Sequence, residues 1–92
     1  MIKSFKHKGL EQLFTKDSRR LLDARDLSKI TRILDRLDAA TVVKDMNIPG
    51  WDFHDLIGDR KGVWSVAVRK NWKITFRFEN GSVHDVNLED YH

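Results

Sequence analysis

The feature that most restricts this chain is a change of hydrophobic period at Ile48-Pro49-Gly50. Before it, apolar residues recur mainly at helical spacing; after it, they alternate. The single proline, followed directly by glycine, marks a turn between the two regimes. Helices that precede the strands, rather than alternate with them, predict an α+β domain. Its helices should lie on one face of a mainly antiparallel, twisted sheet.

In the first half, Ile2 to Phe5 alternates and reads as a short opening strand. From Gly9 to about Leu22 the spacing of Leu10, Leu13 and Phe14, with Leu21 and Leu22 beyond, predicts a helix. Asp17-Ser18 is placed to break it, because both side chains compete for local backbone hydrogen bonds. A second helix should begin at Asp26, a good N-cap residue, although Lys29 stands where a capping box would need an acid. Leu27, Ile30, Leu34 and Leu37 form its apolar stripe, widened by Ile33. Lys29, Arg32 and Arg36 line up on another face as a basic ridge, partly neutralised by Asp35 and Asp38.

In the second half, WDFHDL (51–56) reads as a strand with Trp51, Phe53 and Asp55 on one side and His54 on the other. A basic loop, Gly58-Asp59-Arg60-Lys61-Gly62, follows. VWSVAV turns Trp64, Val66 and Val68 one way; WKITFRF turns Trp72, Ile74, Phe76 and Phe78 inward; VHDVNL puts His84, Val86 and Leu88 on the core side. For these faces to coincide in the first hairpin, the loop must hold an odd number of residues. Arg69-Lys70-Asn71 supplies three, with Asn71 left-handed. In the next hairpin a two-residue Asn80-Gly81 turn would set Phe76 opposite Asp85, out of phase. The expectation there is a three-residue loop that takes in Ser82, or a bulge nearby.

Ninety-two residues make one domain, 1–92, with a modest core. The absence of cysteine excludes disulfides and thiolate metal sites. No apolar run is long enough for a membrane span or signal peptide, which makes the cytoplasm the expected location. Seventeen basic residues against 14 acidic ones leave a charge of +3, enough to attract a polyanion only where the cations cluster. Lys73 and Arg77 on the outward sheet face, with Arg69 and Lys70 at the hairpin tip, form such a cluster, undiluted by acids.

The residues able to do chemistry are few. His54 carries an imidazole that can give or take a proton near neutrality, but it needs a partner. The closing LEDYH offers Asp90, Tyr91 and His92, and an antiparallel last strand would bring them beside Asn71 and Trp72. Metal-free RNA cleavage requires a base for the ribose 2′-hydroxyl, an acid for the departing 5′-oxygen and cations for the phosphorane. His54 or Asp90 as base, His92 as acid, and Arg69, Lys73 and Arg77 as phosphate binders supply every part, with Tyr91 stacking on a base. A metal site drawn from His54, His84, Asp90 and His92 has suitable ligand types but no recognised spacing, so no metal or other cofactor is expected.

The opening MIKSFKHKGLEQLF, the central LDAAT, FHDLIGDRKGVWSVAVRKNWKITFRFENG and the closing LEDYH together resemble the HigB toxins of the RelE superfamily. The resemblance spans essentially the whole chain. It implies a RelE-like fold and a ribosome-dependent mRNA interferase that cuts messages presented in the ribosomal A site. It also implies inhibition by a HigA-type helix-turn-helix antitoxin, with operator DNA bound only through the toxin–antitoxin complex and no role for a membrane. The family's active histidine and closing Asp-Tyr-His fall on His54, Asp90, Tyr91 and His92. Ile57 stands where many relatives carry lysine; Arg60, Lys61 or Lys73 would then have to bind the phosphate in its place. Lys73 stands where arginine is common, keeping the charge without the bidentate fork. Lys29, Arg32 and Arg36 are weaker candidates for contact with ribosomal RNA or the antitoxin. The alternative on the same scaffold is a non-enzymatic binder, such as a ParE-like gyrase poison, which has no need of the His54, Asp90, Tyr91 and His92 set.

Overall fold

The computed structural model describes residues 1–56 and 58–90. Helix α1, Lys8–Lys16, turns Leu10 and Leu13 into the core. His7 caps its start, Nδ1 accepting the Leu10 N–H at 3.2 Å. At its end Asp17 adopts φ 53, and the N–H groups of Asp17 and Ser18 return to the Leu13 and Gln12 carbonyls. The expected break is therefore a left-handed C-terminal cap of the αL type, with an aspartate in the usual glycine position.

Helix α2, Leu27–Ala39, buries Ile30, Ile33, Leu34 and Leu37, none more than 1% exposed. Each such burial is worth about 1.5–3 kcal/mol relative to exposure, which is what holds the helix to the sheet. Asp26 precedes α2 without capping it. The 3-10 turn Ala24–Asp26, itself capped by Asp23, runs straight into the helix, so Asp26 is already helical and its carboxylate points elsewhere. It receives Arg69 Nε at 2.9 and 3.1 Å.

Four antiparallel strands follow in spatial order: β1 (His54–Asp55), β2 (Val63–Arg69), β3 (Trp72–Glu79) and β4 (Ser82–Asp90). The opening segment runs parallel to β4 on its outer side, bridging Ile2 to Val83 and Phe5 to Val86. β1 is shorter than the alternation of 51–56 predicts because Asp52 has φ 50 and turns the chain. Single bonds extend the pairing past it: Ala67 N–H to the Trp51 carbonyl at 2.7 Å, and Leu56 N–H to the Val63 carbonyl at 2.8 Å.

Both hairpins solve the parity problem inside the strands. In β2–β3, Arg69 pairs with Trp72 and the register shifts between Ala67 and Arg69, so the loop is Lys70-Asn71. Among the described residues the non-glycine left-handed ones are Asp17, Asp52, Asn80 and Asp85, so Asn71 does not take that conformation. In β3–β4, Glu79 pairs with Ser82 across a two-residue Asn80-Gly81 turn with φ 51 and 77, matching the twist of the strands. The expected bulge, and not the three-residue loop, restores the phase. It lies at Asp85, φ 56, whose N–H is taken by Ser4 Oγ at 2.9 Å. The bulge moves Val83 into the core and sends His84 to the opposite face, beside Arg77, which corrects the expected core position of His84.

Val66, Val68, Ile74, Phe76, Val83 and Val86 meet the two helices, with Met46 and Trp51 closing the core. Among the described residues no helix is long and apolar enough to cross a membrane.

Candidate functional site

The face away from the helices carries the candidate site. Cross-strand register sets His54 beside Ser65, Ser65 beside Thr75, and Thr75 beside Asn87, one polar row across all four strands. Phe53 turns the other way and stacks on Trp64, with ring centroids 5.1 Å apart and planes 2° from parallel. That contact holds β1 so that the next side chain, His54, projects onto the polar face.

His54 is half-buried. Its Nδ1 lies 2.9 Å from the Asp52 carbonyl oxygen, which can only accept, so in the neutral ring the proton sits on Nδ1. Nε2 keeps its lone pair, with Ser65 Oγ 3.4 Å away. The left-handed turn at Asp52, which shortened β1, thus also selects the tautomer that offers a basic nitrogen to the open face.

Beside this row lies a polar cleft of about 230 Å³, lined by Lys6, Arg60 and Arg77 and by Asp59, Asp85 and Glu89. The expected absence of acids among the cations does not hold. Arg60 forks onto Glu89 at 2.7 and 2.5 Å, Thr75 Oγ1 donates to the same carboxylate at 2.6 Å, and Arg77 lies 3.8 Å from Asp85. Arg60's guanidinium, then the Thr75 hydroxyl, hold the Glu89 carboxyl below its ordinary range against the opposing effect of partial burial. Ser65 and Thr75, polar yet 0% and 3% exposed, are buried on this side of the sheet.

The other expected contacts divide. Lys73 is half-buried, paired in register with Ala67 and Glu89, and so lies on the polar face with Arg77. Lys61 and Lys70 are exposed. Arg69 is not on that face: Asp26 and Asp23 draw its guanidinium toward the helices and over the Trp72 ring, 5.8 Å from the centroid. Lys29 is half-buried and Arg32 exposed on α2, while Arg36 donates to the Asp45 carbonyl at 2.8 Å.

Asp90 pairs with Trp72, as the antiparallel last strand requires. Because Trp72 packs on the core, this register sets Asp90 on the helix side of the sheet's end, roughly 17 Å from His54 by strand spacing. The described residues do not bring His54 and Asp90 together. Tyr91, His92 and Ile57 lie outside the described residues. No three His, Asp or Glu side chains converge as metal ligands among the described residues.

Sequence reasoning passed over Lys6 and Glu89. Glu89 was legible by parity, two positions beyond Asn87 on the polar face. Nothing in the sequence links Lys6 to the cleft, since its place there depends on the parallel pairing of the N-terminus.

Solved structures share this architecture. A YoeB/ParE toxin from Agrobacterium tumefaciens superposes with a TM-score of 0.66 at 15% identity, each chain covered in full. YafQ from E. coli gives 0.57 at 12% identity, over 98% of this chain and 91% of that one. The fold is thus the one shared by that YoeB/ParE toxin and by YafQ. The family model for the RelE-like toxin of the type II toxin–antitoxin system HigB matches residues 3–92. Endoribonuclease HigB of Proteus vulgaris is 48% identical over 92 residues, the whole of both chains. Toxin HigB-1 of Vibrio cholerae is 34% identical over 93 residues, 99% of this chain and 98% of that one. The chain belongs to the HigB family of RelE-like toxins and so to a toxin–antitoxin pair.

Proposed function

We propose that this HigB-family toxin is an endoribonuclease that cuts mRNA on the ribosome without a metal, using His54 Nε2 as the base. Nε2 takes the proton of a ribose 2′-hydroxyl, the oxygen attacks the adjacent phosphorus, and the bond to the 5′-oxygen breaks. The products are a 2′,3′-cyclic phosphate and a 5′-hydroxyl that His92 protonates. Lys73 and Arg77, with Lys61 and Lys70 at the margins, steady the phosphate oxygens, and Tyr91 stacks on a base. His54 is preferred to Asp90 as base, because Asp90 lies at the far end of the sheet on its helix side.

The observation that carries the reading is His54 on the polar sheet face, its Nδ1 tied to the Asp52 carbonyl and Nε2 beside the Ser65 hydroxyl, near a cleft lined by Lys6, Arg60 and Arg77 together with Asp59, Asp85 and Glu89. Full-length similarity to a protein named an endoribonuclease supports it. The expected partners are a HigA-type helix-turn-helix antitoxin, the ribosomal A site with its message, and operator DNA reached through the antitoxin, all in the cytoplasm. Primer extension on a translated message is the test. Cuts should appear with ribosomes, vanish without them, and vanish with His54→Ala. Ribosomes that bind the toxin while the message stays intact would replace this reading with a non-enzymatic binder of the ParE type.

A further inference from the structure

We propose that Arg60 and Glu89 are positioning residues for the ribonuclease site: a clamp that ties the segment after His54 to the strand that leads into Asp90-Tyr91-His92. The proposal rests on the nuclease reading above. Arg60 belongs to the 3-10 turn Gly58–Arg60, which follows β1, whereas Glu89 lies on the opposite edge strand. Their side chains meet across the polar face, over β2 and β3, though 29 residues separate them in sequence. The contact is bidentate, 2.7 and 2.5 Å, and the buried Thr75 hydroxyl adds a third bond at 2.6 Å. A fork of this kind fixes direction as well as distance.

Several observations favour a strut over a phosphate ligand. Arg60 has both terminal nitrogens on Glu89, so binding a phosphate there would require breaking the pair. Isolated exposed ion pairs contribute little to stability, yet this one is half-buried, shares the buried Thr75 hydroxyl, and holds the Glu89 carboxyl below its ordinary range. The pair also forms one wall of the 230 Å³ cleft, beside the row that starts with His54. Releasing it would free the turn that follows β1 and the end of β4 together.

The experiment is single-turnover cleavage of ribosome-presented mRNA over a range of toxin concentrations, with folding checked by circular dichroism and melting. Glu89→Gln and Arg60→Gln should each slow the saturated rate by about tenfold to a hundredfold, with the half-saturating concentration unchanged. The double variant should be no slower than either single one, and the exchanged pair Arg60→Glu with Glu89→Arg should recover much of the rate. Arg60→Gln that raises the half-saturating concentration at an unchanged rate would overturn the clamp and make Arg60 an RNA ligand. Glu89→Gln that cuts as fast as the parent, or binds RNA more tightly, would also overturn it. If those variants do not fold, Thr75→Val, which keeps the ion pair, becomes the test: a few-fold slower rate supports the clamp and an unchanged one sinks it. A parent toxin that fails to cut at all defeats the nuclease reading itself, whereas a cutting parent with indifferent variants defeats the clamp alone.

Discussion

The two faces of the sheet are built on different principles. The helix-facing side is apolar, with Val66, Ile74, Phe76, Val83 and Val86 fully buried against α2. The opposite side also buries residues, Ser65 and Thr75, but surrounds them with His54, Arg60, Arg77 and Glu89. Burial on the first side supplies free energy roughly in proportion to area. On the second it supplies direction: hydrogen bonds and ion pairs that set where a proton or a phosphate can go. A substitution on one face should therefore damage what a substitution on the other leaves alone.

The sharpest break pairs Phe76→Ala with His54→Ala. The first removes a fully buried ring and should cost about 3–5 kcal/mol, visible as a lower denaturant midpoint and little folded protein at 37 °C. The second should lower single-turnover cleavage by about 10²–10⁴-fold while the denaturant midpoint barely moves. An inactive Phe76→Ala that melts normally, or a destabilised His54→Ala, would erase the division.

The next comparison is between two arginines that sequence reasoning treated alike. Arg69→Ala leaves Asp26, 8% exposed, without its guanidinium and should cost about 1–3 kcal/mol of stability. The salt dependence of RNA binding should stay the same. Arg77→Ala should do the reverse, lowering the slope of log affinity against log salt by about 1 with little change in melting. Parallel salt titrations and melts of the two variants decide it.

A smaller effect follows from pH. Burial lowers the His7 pKa from its ordinary 6.5, so between that value and the folded one the unfolded chain binds more protons than the native state. Its stabilising contribution is complete above about pH 6.5 and declines as pH falls below it. Protonation also removes the Nδ1 acceptor that caps α1. Glu89, lowered from an ordinary 4.5, adds a second loss in more acid solution. His7→Asn keeps a capping oxygen and should flatten the first decline while leaving the second, as read from denaturant midpoints between about pH 7 and 2.

Much of the architecture was legible from alternation and helical spacing, and where it was not, the physical reasons are specific. Parity between Val66/Ile74 and Phe76/Val86 dictated that each hairpin contain either an odd loop or a bulge, and the structure uses a register shift in both. Its place was decided by neighbours remote in sequence. Asn80-Gly81 is the tightest turn available, and the bulge fell at Asp85 because Ser4, on a segment paired with β4, accepts the N–H that the bulge releases. His54 was legible as a residue facing away from Phe53, but its tautomer depends on the Asp52 backbone. Arg60 and Arg69 looked like free cations because a local pattern shows charge without showing which carboxylate will meet it; their partners lie 29 and 43 residues away.

By itself, then, the order of residues determined which segments are helix and strand, which side of each is apolar, and which few side chains can move protons. Those properties depend on near neighbours at spacings of two, three and four. Only the tertiary structure decided which cations are committed to carboxylates, where the register slips, and that Lys6, Thr75 and Glu89 share a cleft with Arg77. Such facts arise from encounters between distant parts of the chain, and burial and charge pairing choose among them only once the sheet has closed against its helices.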